Sequence, residues 1–292
     1  MRTNYPGKSC AEYQLQPISL TNATNVLSVD LEPWPGSSCR DELLYLLELF
    51  RNKNVRATFF VLGSVAQTEP DLLKRIDAEG HEIASHGWQH VQLFKITPEQ
   101  FRVDMDKSIS LLYQIVGKPV LGFRAPHFSI MEESFWALDV LVELGIRYDS
   151  SIFPIRGPRY GMPDFPPGPV RINCEGGSII EVPLSTVRMF GKNWPVAGGG
   201  YFRLLPYPII NCAVKTVNSN GLPFVVYCHP YEFRAERLRC SQGFESLNWF
   251  QSKKTQLKFN IFRTTMRGKL SRLLDMYPFK SFREVLSDEL RC

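Results

Sequence analysis

Apolar residues recur along the first half of the chain in two alternating rhythms. Residues 26–29 (VLSV) form a short apolar run ending in Asp30. Residues 41–50 follow with leucines at helical spacing, and Asp41 stands near the helix start, where its charge suits the dipole. Residues 55–62 (VRATFFVL) are β-branched and aromatic and stop at Gly63, after which 70–78 set Leu72, Leu73 and Ile76 on one helical face. Residues 82–84 predict a brief third strand, 98–116 a long helix, 120–123 a fourth strand and 132–144 another helix. Strand and helix in this alternation specify a parallel sheet covered by helices.

After Asp149 the texture changes. Residues 154–169 are rich in proline and glycine, and Gly198-Gly199-Gly200 lacks the strand-to-helix context of a phosphate loop, so it reads as a turn or close backbone approach. Two strands stand out here, 179–182 and 224–227, the second running straight into Cys228-His229-Pro230. From 252 to 280, Lys253, Lys254, Lys258, Arg263, Arg267, Lys269, Arg272 and Lys280 are opposed by Asp275 alone, which is either a solvated helix surface or a basic face.

Composition narrows the class. The 292 residues, 44% hydrophobic, 22% charged and 12% aromatic, are those of a folded globular protein rather than a disordered, collagenous or coiled-coil one. The net charge of +5 is too small for the usual footprint of a nucleic-acid binder. Residues 1–16 carry no apolar run of the secretory kind, and the most apolar stretch, 43–50, falls far short of a bilayer span. The seven cysteines are odd in number and form no C-x-x-C pair, which points to free thiols and a cytoplasmic protein.

Ligands in parallel α/β sheets bind at the carboxyl ends of the strands, so polar residues directly after apolar runs are the candidates for chemistry. They are Asp30 and Glu32, His86 and His90, Arg124 and His127, Asp149, and His229. His86 and His90, four apart, can turn both imidazoles onto one metal ion. Asp30 and Glu32, two apart, can supply one carboxylate ligand and one free base. Two histidines and a carboxylate leave positions open for water and substrate, as catalytic zinc requires.

The segments SVDLEPW (28–34), ATFFVLG (57–63), GHEIASHGWQH (80–90), FRAPHFSI (123–130), YDSSIFP (148–154) and YCHPYE (227–232) resemble the ordered motifs of the polysaccharide deacetylases, carbohydrate esterase family 4. RYGMPDFP (159–166), GGGYFRLLPY (198–207) and HPYE are similar, more narrowly, to the subfamily of bacterial exopolysaccharide biosynthesis loci. The resemblance implies a distorted (β/α) barrel of about seven parallel strands. It implies a catalytic base at Asp30 and metal ligands at Glu32, His86 and His90. The family more often has two adjacent aspartates, so D-x-E leaves the base and ligand roles exchangeable. Arg124 matches the arginine that holds the base, Asp149 an acid that orients catalytic groups, and His229 the acid that protonates the leaving amine. His127 stands where a backbone N–H helps bind the oxyanion.

The expectation is therefore a metal-dependent hydrolase that removes N-acetyl groups from amino sugars of an exopolysaccharide or its lipid-linked precursor. Zinc is the first choice of divalent ion, with cobalt, nickel and manganese as alternatives. An amidase or deformylase of the same fold, or a non-catalytic carbohydrate-binding relic, are the competing readings. Trp34 and Trp88 are expected to stack on sugar. Residues 1–24 read as an N-terminal extension and 25–292 as one deacetylase domain, with a loop-rich second half (155–250) and a basic helical C-terminal region (251–292). That region is expected to touch the inner membrane peripherally, with no nucleic-acid partner; the sequence leaves the oligomeric state open.

Overall fold

The alternation of apolar runs and helical stripes builds a (β/α) architecture in the computed structural model, which describes residues 9–20, 24–157, 160–240, 244 and 246–291. Residues 1–8 of the expected extension, Arg159 of the proline-rich motif and Cys292 lie outside the described residues. The strands are β1 (Gln14–Pro17), β2 (Asn25–Leu31), β3 (Thr58–Val61), β4 (Glu82–Ser85), β5 (Gly122–Phe123), β6 (Tyr148–Asp149), β7 (Val170–Cys174), β8 (Gly177–Glu181), β9 (Thr186–Met189), β10 (Lys192–Pro195), β11 (Val225–Cys228) and β12 (Phe279–Lys280). The helices are α1 (Arg40–Asn52), α2 (Gly63–Thr68), α3 (Pro70–Ala78), α4 (Pro98–Val116), α5 (Ala137–Glu143), α6 (Gly199–Leu204), α7 (Tyr207–Ser219), α8 (Trp249–Asn260), α9 (Met266–Met276) and α10 (Phe282–Val285).

Seven strands run parallel in the order β8-β6-β5-β4-β3-β2-β11. This is the distorted barrel. Its two ends are not joined by a ladder; instead Ser185, four residues past β8, accepts a hydrogen bond from the Val225 N–H of β11 (2.7 Å). β7 and β1 extend the β8 edge antiparallel, so residues 14–17 belong to the sheet. The strands β1 and β7 and the hairpin β9–β10 (Thr186–Pro195) had no clear apolar signature in the sequence.

Each strand alternates between two environments, as the period of two demands. Leu27, Val29 and Leu31 of β2 face outward onto α1, where Leu43, Leu46, Leu47 and Phe50 are all buried in the main core. Val26, Phe60, Ala84, Tyr148, Ile180 and Val225 face inward and pack around Phe282 of α10, which plugs one end of the barrel. No described helix is long and apolar enough to cross a membrane, and the six described cysteines are free.

Candidate metal centre

The inward row of side chains turns from apolar to polar toward the carboxyl ends of the strands. On β2 the sequence Val26, Ser28, Asp30 makes this change within one face, and Asp30 is buried. His86, directly after β4, and Arg124, directly after β5, arrive at the same end, and His229 follows β11. β4, β5 and β11 each stop one residue before the functional group they present.

Glu32, His86 and His90 present one ligand atom each within 4.8 Å of one another. His90 Nε2 lies 2.7 Å from Glu32 Oε2. His86 Nδ1 donates to the Arg124 carbonyl (2.7 Å), which fixes the tautomer and leaves Nε2 available to an ion. Two imidazoles and a carboxylate, one ring already oriented by a backbone carbonyl, fit a catalytic divalent ion. Burial pushes the His86 pKa down to about 4, so at neutral pH the ring is a neutral imidazole with Nε2 unprotonated. Burial alone would raise Glu32, but the His90 hydrogen bond and the neighbouring His229 outweigh it and hold the carboxyl at about 2.

Asp30 stands beside this cluster and is engaged elsewhere. Arg124 Nη1 donates to Asp30 Oδ1 (2.7 Å) and to Ser28 Oγ (2.8 Å), while Nε and Nη2 reach the Ser150 carbonyl (2.9 Å) and hydroxyl (3.0 Å). The guanidinium also lies 4.2 Å above the Phe60 ring. With Oδ1 bound to arginine, Oδ2 is the oxygen that faces His229, at 4.0 Å from its Nε2.

His229 also borders the cluster, with Nε2 3.2 Å from Glu32 Oε1. Its Nδ1 faces Glu232 Oε2 at 3.3 Å, and the same oxygen accepts the His229 backbone N–H (3.0 Å). Burial favours the neutral ring, but the Glu232 hydrogen bond and the Glu32 and Asp30 charges prevail and raise its pKa to about 9. Buried Arg203 in turn donates to Glu232 Oε1 (3.1 Å). Arg203 and Glu232 escaped the sequence reading, although both lie in quoted motifs; the signal was a glutamate three residues after His229, close enough to share its turn.

Asp149 shares a face with Phe123 rather than with inward Tyr148, and it is buried opposite Glu181 in register. Its carboxylate accepts from Ser151 Oγ (2.5 Å), which itself accepts the Ala125 N–H (2.7 Å). Trp34 is packed among Tyr231, Phe244 and Phe259 and bonded to the Arg239 carbonyl (2.9 Å), so it offers no face to a sugar. Trp88 is likewise buried, beneath Lys107 Nζ (3.6 Å) and against Gly63, where a methyl group would come within 2.4 Å of the ring. His127 is exposed, its ring 4.3 Å from that of His90 and its backbone left-handed at φ 57°.

Comparison with known proteins follows the same division of the chain. Residues 25–148 match the polysaccharide deacetylase family model, and residues 150–287 match a domain of unknown function, DUF3473. The second match supplies β8, β11, His229, Arg203 and Glu232, so both halves complete one barrel and one site. A peptidoglycan-N-acetylglucosamine deacetylase of Bacillus cereus is 34% identical over 95 residues, 32% of this chain and 34% of that protein. A peptidoglycan deacetylase of Helicobacter pylori is 32% identical over 107 residues, 37% of this chain and 36% of that one. The chain thus spans about a third of the length of these curated relatives. Among solved structures, a Mycobacterium smegmatis protein assigned to the polysaccharide deacetylases superposes with a TM-score of 0.58 at 18% identity, over 94% of this chain and 93% of the other. A carbohydrate esterase family 4 pseudoenzyme from Bacillus anthracis gives 0.52 at 12% identity, over 91% and 66%. Over residues 25–148 the chain is thus similar to the polysaccharide deacetylases, and its barrel is the fold of the solved carbohydrate esterase family 4 protein.

Proposed function

We propose that the chain is a metal-dependent N-deacetylase acting on an N-acetylated amino sugar of a bacterial exopolysaccharide or its lipid-linked precursor in the cytoplasm. The observation that carries the reading is the convergence of Glu32, His86 and His90, with Asp30 Oδ2 and His229 Nε2 beside them. A divalent ion held by those three residues, zinc in the first instance, would supply Lewis acidity, making water more acidic and polarising the acetamide carbonyl. Asp30, positioned through Oδ1 by Arg124, takes the proton of the attacking water on Oδ2. The backbone N–H of His127 is assigned to the oxyanion, a donor typically worth about 3 kcal/mol. His229, held through Nδ1 by Glu232, delivers a proton from Nε2 to the amide nitrogen, because an amine leaves far more easily than an amide anion.

The exopolysaccharide assignment is supported by the 159–166, 198–207 and 229–232 segments, whereas the curated relatives are named for peptidoglycan. Acetate release from metal-loaded protein separates the substrates: N-acetylated lipid-linked oligosaccharide, peptidoglycan and chitin oligomers are offered in parallel. The reading expects turnover of the first above the others, and its loss in Asp30→Asn and His229→Ala with metal retained. Preference for peptidoglycan would replace the substrate. Absence of acetate from every N-acetylated glycan would remove the deacetylase.

A further inference from the structure

Helix α8 turns its apolar residues outward. None of its side chains is buried, and Trp249, Phe250 and Leu257 are 66%, 77% and 63% exposed. Lys253, Lys254 and Lys258 fall among them, so 249-253-257 and 250-254-258 form two adjacent rows of mixed apolar and cationic groups. Its less exposed side holds Ser252, Thr255, Gln256 and Asn260 beside Phe259, the reverse of what a helix free in water presents. No carboxylate occurs between residues 249 and 274.

Helix α8 leaves the barrel at the end that carries the metal cluster, beyond the carboxyl end of β11. α8 is also fastened to the site wall. Phe259 meets Tyr231 at 6.1 Å between centroids, Tyr231 stacks on His229 at 4.8 Å, and Arg203 donates to the Lys258 carbonyl (3.1 Å).

We propose that this helix is a membrane-docking surface: Trp249 and Phe250 enter the interface of an anionic bilayer while Lys253, Lys254 and Lys258 meet its headgroups. Aromatic rings are favoured at the headgroup level, and lysines near the surface are attracted by anionic lipid. An acid-free cationic face fits a phosphate-rich layer better than it fits a neutral protein groove. Docking would bring the mouth of the barrel to the membrane surface. The proposal is read by binding and does not depend on the reaction assigned to the site.

Co-sedimentation of the full chain with vesicles of phosphatidylethanolamine and phosphatidylglycerol, and with phosphatidylcholine vesicles, tests it. The expected result is binding to the anionic vesicles alone, weakened by salt and accompanied by a blue shift of tryptophan emission. Trp249→Ser/Phe250→Ser and Lys253→Glu/Lys254→Glu/Lys258→Glu should each bind at least about tenfold more weakly. Their circular dichroism should be unchanged, because the positions are exposed. No binding, equal binding to phosphatidylcholine, or binding indifferent to these substitutions overturns the proposal. So does self-association in sedimentation velocity that Trp249→Ser/Phe250→Ser abolishes, which would assign the face to a second copy.

Discussion

Arg124 Nη1 and Asp30 Oδ1 lie 2.7 Å apart, with side-chain exposures of 0% and 3%. Two charges so fully removed from water are retained only if each compensates the other. Three further guanidinium hydrogens go to Ser28 and Ser150, so the arginine is locked in one pose and locks the aspartate with it.

Removing the arginine should therefore damage the fold as well as the chemistry. Arg124→Ala leaves a buried carboxylate without its cation and should cost about 3–5 kcal/mol in urea denaturation. Asp30→Asn keeps an acceptor for Arg124 and should cost less while abolishing turnover. A cost for Arg124→Ala below about 1 kcal/mol would show that water reaches Asp30.

The ligand set makes a prediction that separates binding from catalysis. Glu32→Ala and His86→Ala should each abolish stoichiometric zinc in elemental mass spectrometry, whereas His229→Ala should retain it. An ion that binds only the folded state stabilises by mass action, about 2.7 kcal/mol at a hundredfold excess over Kd. Wild-type protein should therefore melt higher with zinc than with chelator, and Glu32→Ala should melt alike in both. Zinc retained by Glu32→Ala would pass the ligand role to Asp30.

How much of this was legible in the sequence depends on whether a residue's function follows from its own strand. Asp30, His86, Arg124 and His229 end apolar runs, and the period of two then puts them on the inner face. D-x-E left open which carboxylate faces the histidines; the structure resolves the placement, because Arg124 occupies Asp30 while Glu32, just past the strand, meets His90. Asp149 also ends an apolar run, but its place opposite Glu181 was not legible, because a two-residue strand gives too little alternation to show the phase. The tryptophans misled because an aromatic in a loop reads the same whether it awaits a ligand or packs under a neighbour. Trp34 is covered by Phe244 and Phe259, more than two hundred residues away.

His81, the one histidine not at a strand's carboxyl end, should behave as an acid-labile core residue. Its Nδ1 accepts the Ala57 N–H (3.1 Å), and its ring packs edge-on against Phe50 and Phe59. Burial lowers its pKa to about 4. A histidine depressed on folding favours the native state above its unfolded pKa near 6.5, and that contribution is lost as pH falls from there toward 4. The loss should be on the order of 3 kcal/mol. Wild type should lose that much more stability than His81→Gln between pH 7 and pH 4 in urea titrations. Parallel curves would mean that the ring is solvated.

The Asp149–Glu181 pair should act in the opposite sense. The two are buried opposite one another, and Glu181 also accepts the Ile152 N–H (2.9 Å). Burial raises the Glu181 pKa well above the usual range and Asp149 raises it further, so one proton is held between them. An acid whose pKa is raised on folding contributes fully below its unfolded pKa, about 4.3 for glutamate, and less as pH rises, because the unfolded chain then releases a proton that the folded one keeps. Glu181→Gln mimics the protonated acid: its carbonyl can still accept from Ile152, and its amide can donate to Asp149. The variant should match wild type near pH 4 and exceed it at pH 8. Since Ser151 links Asp149 to the Ala125 N–H, at the start of the turn bearing His127, Glu181→Gln should also preserve turnover, while Asp149→Ala should lower it with zinc still bound. A Glu181→Gln difference that stays constant from pH 4 to pH 8 would show that no proton is shared across the pair.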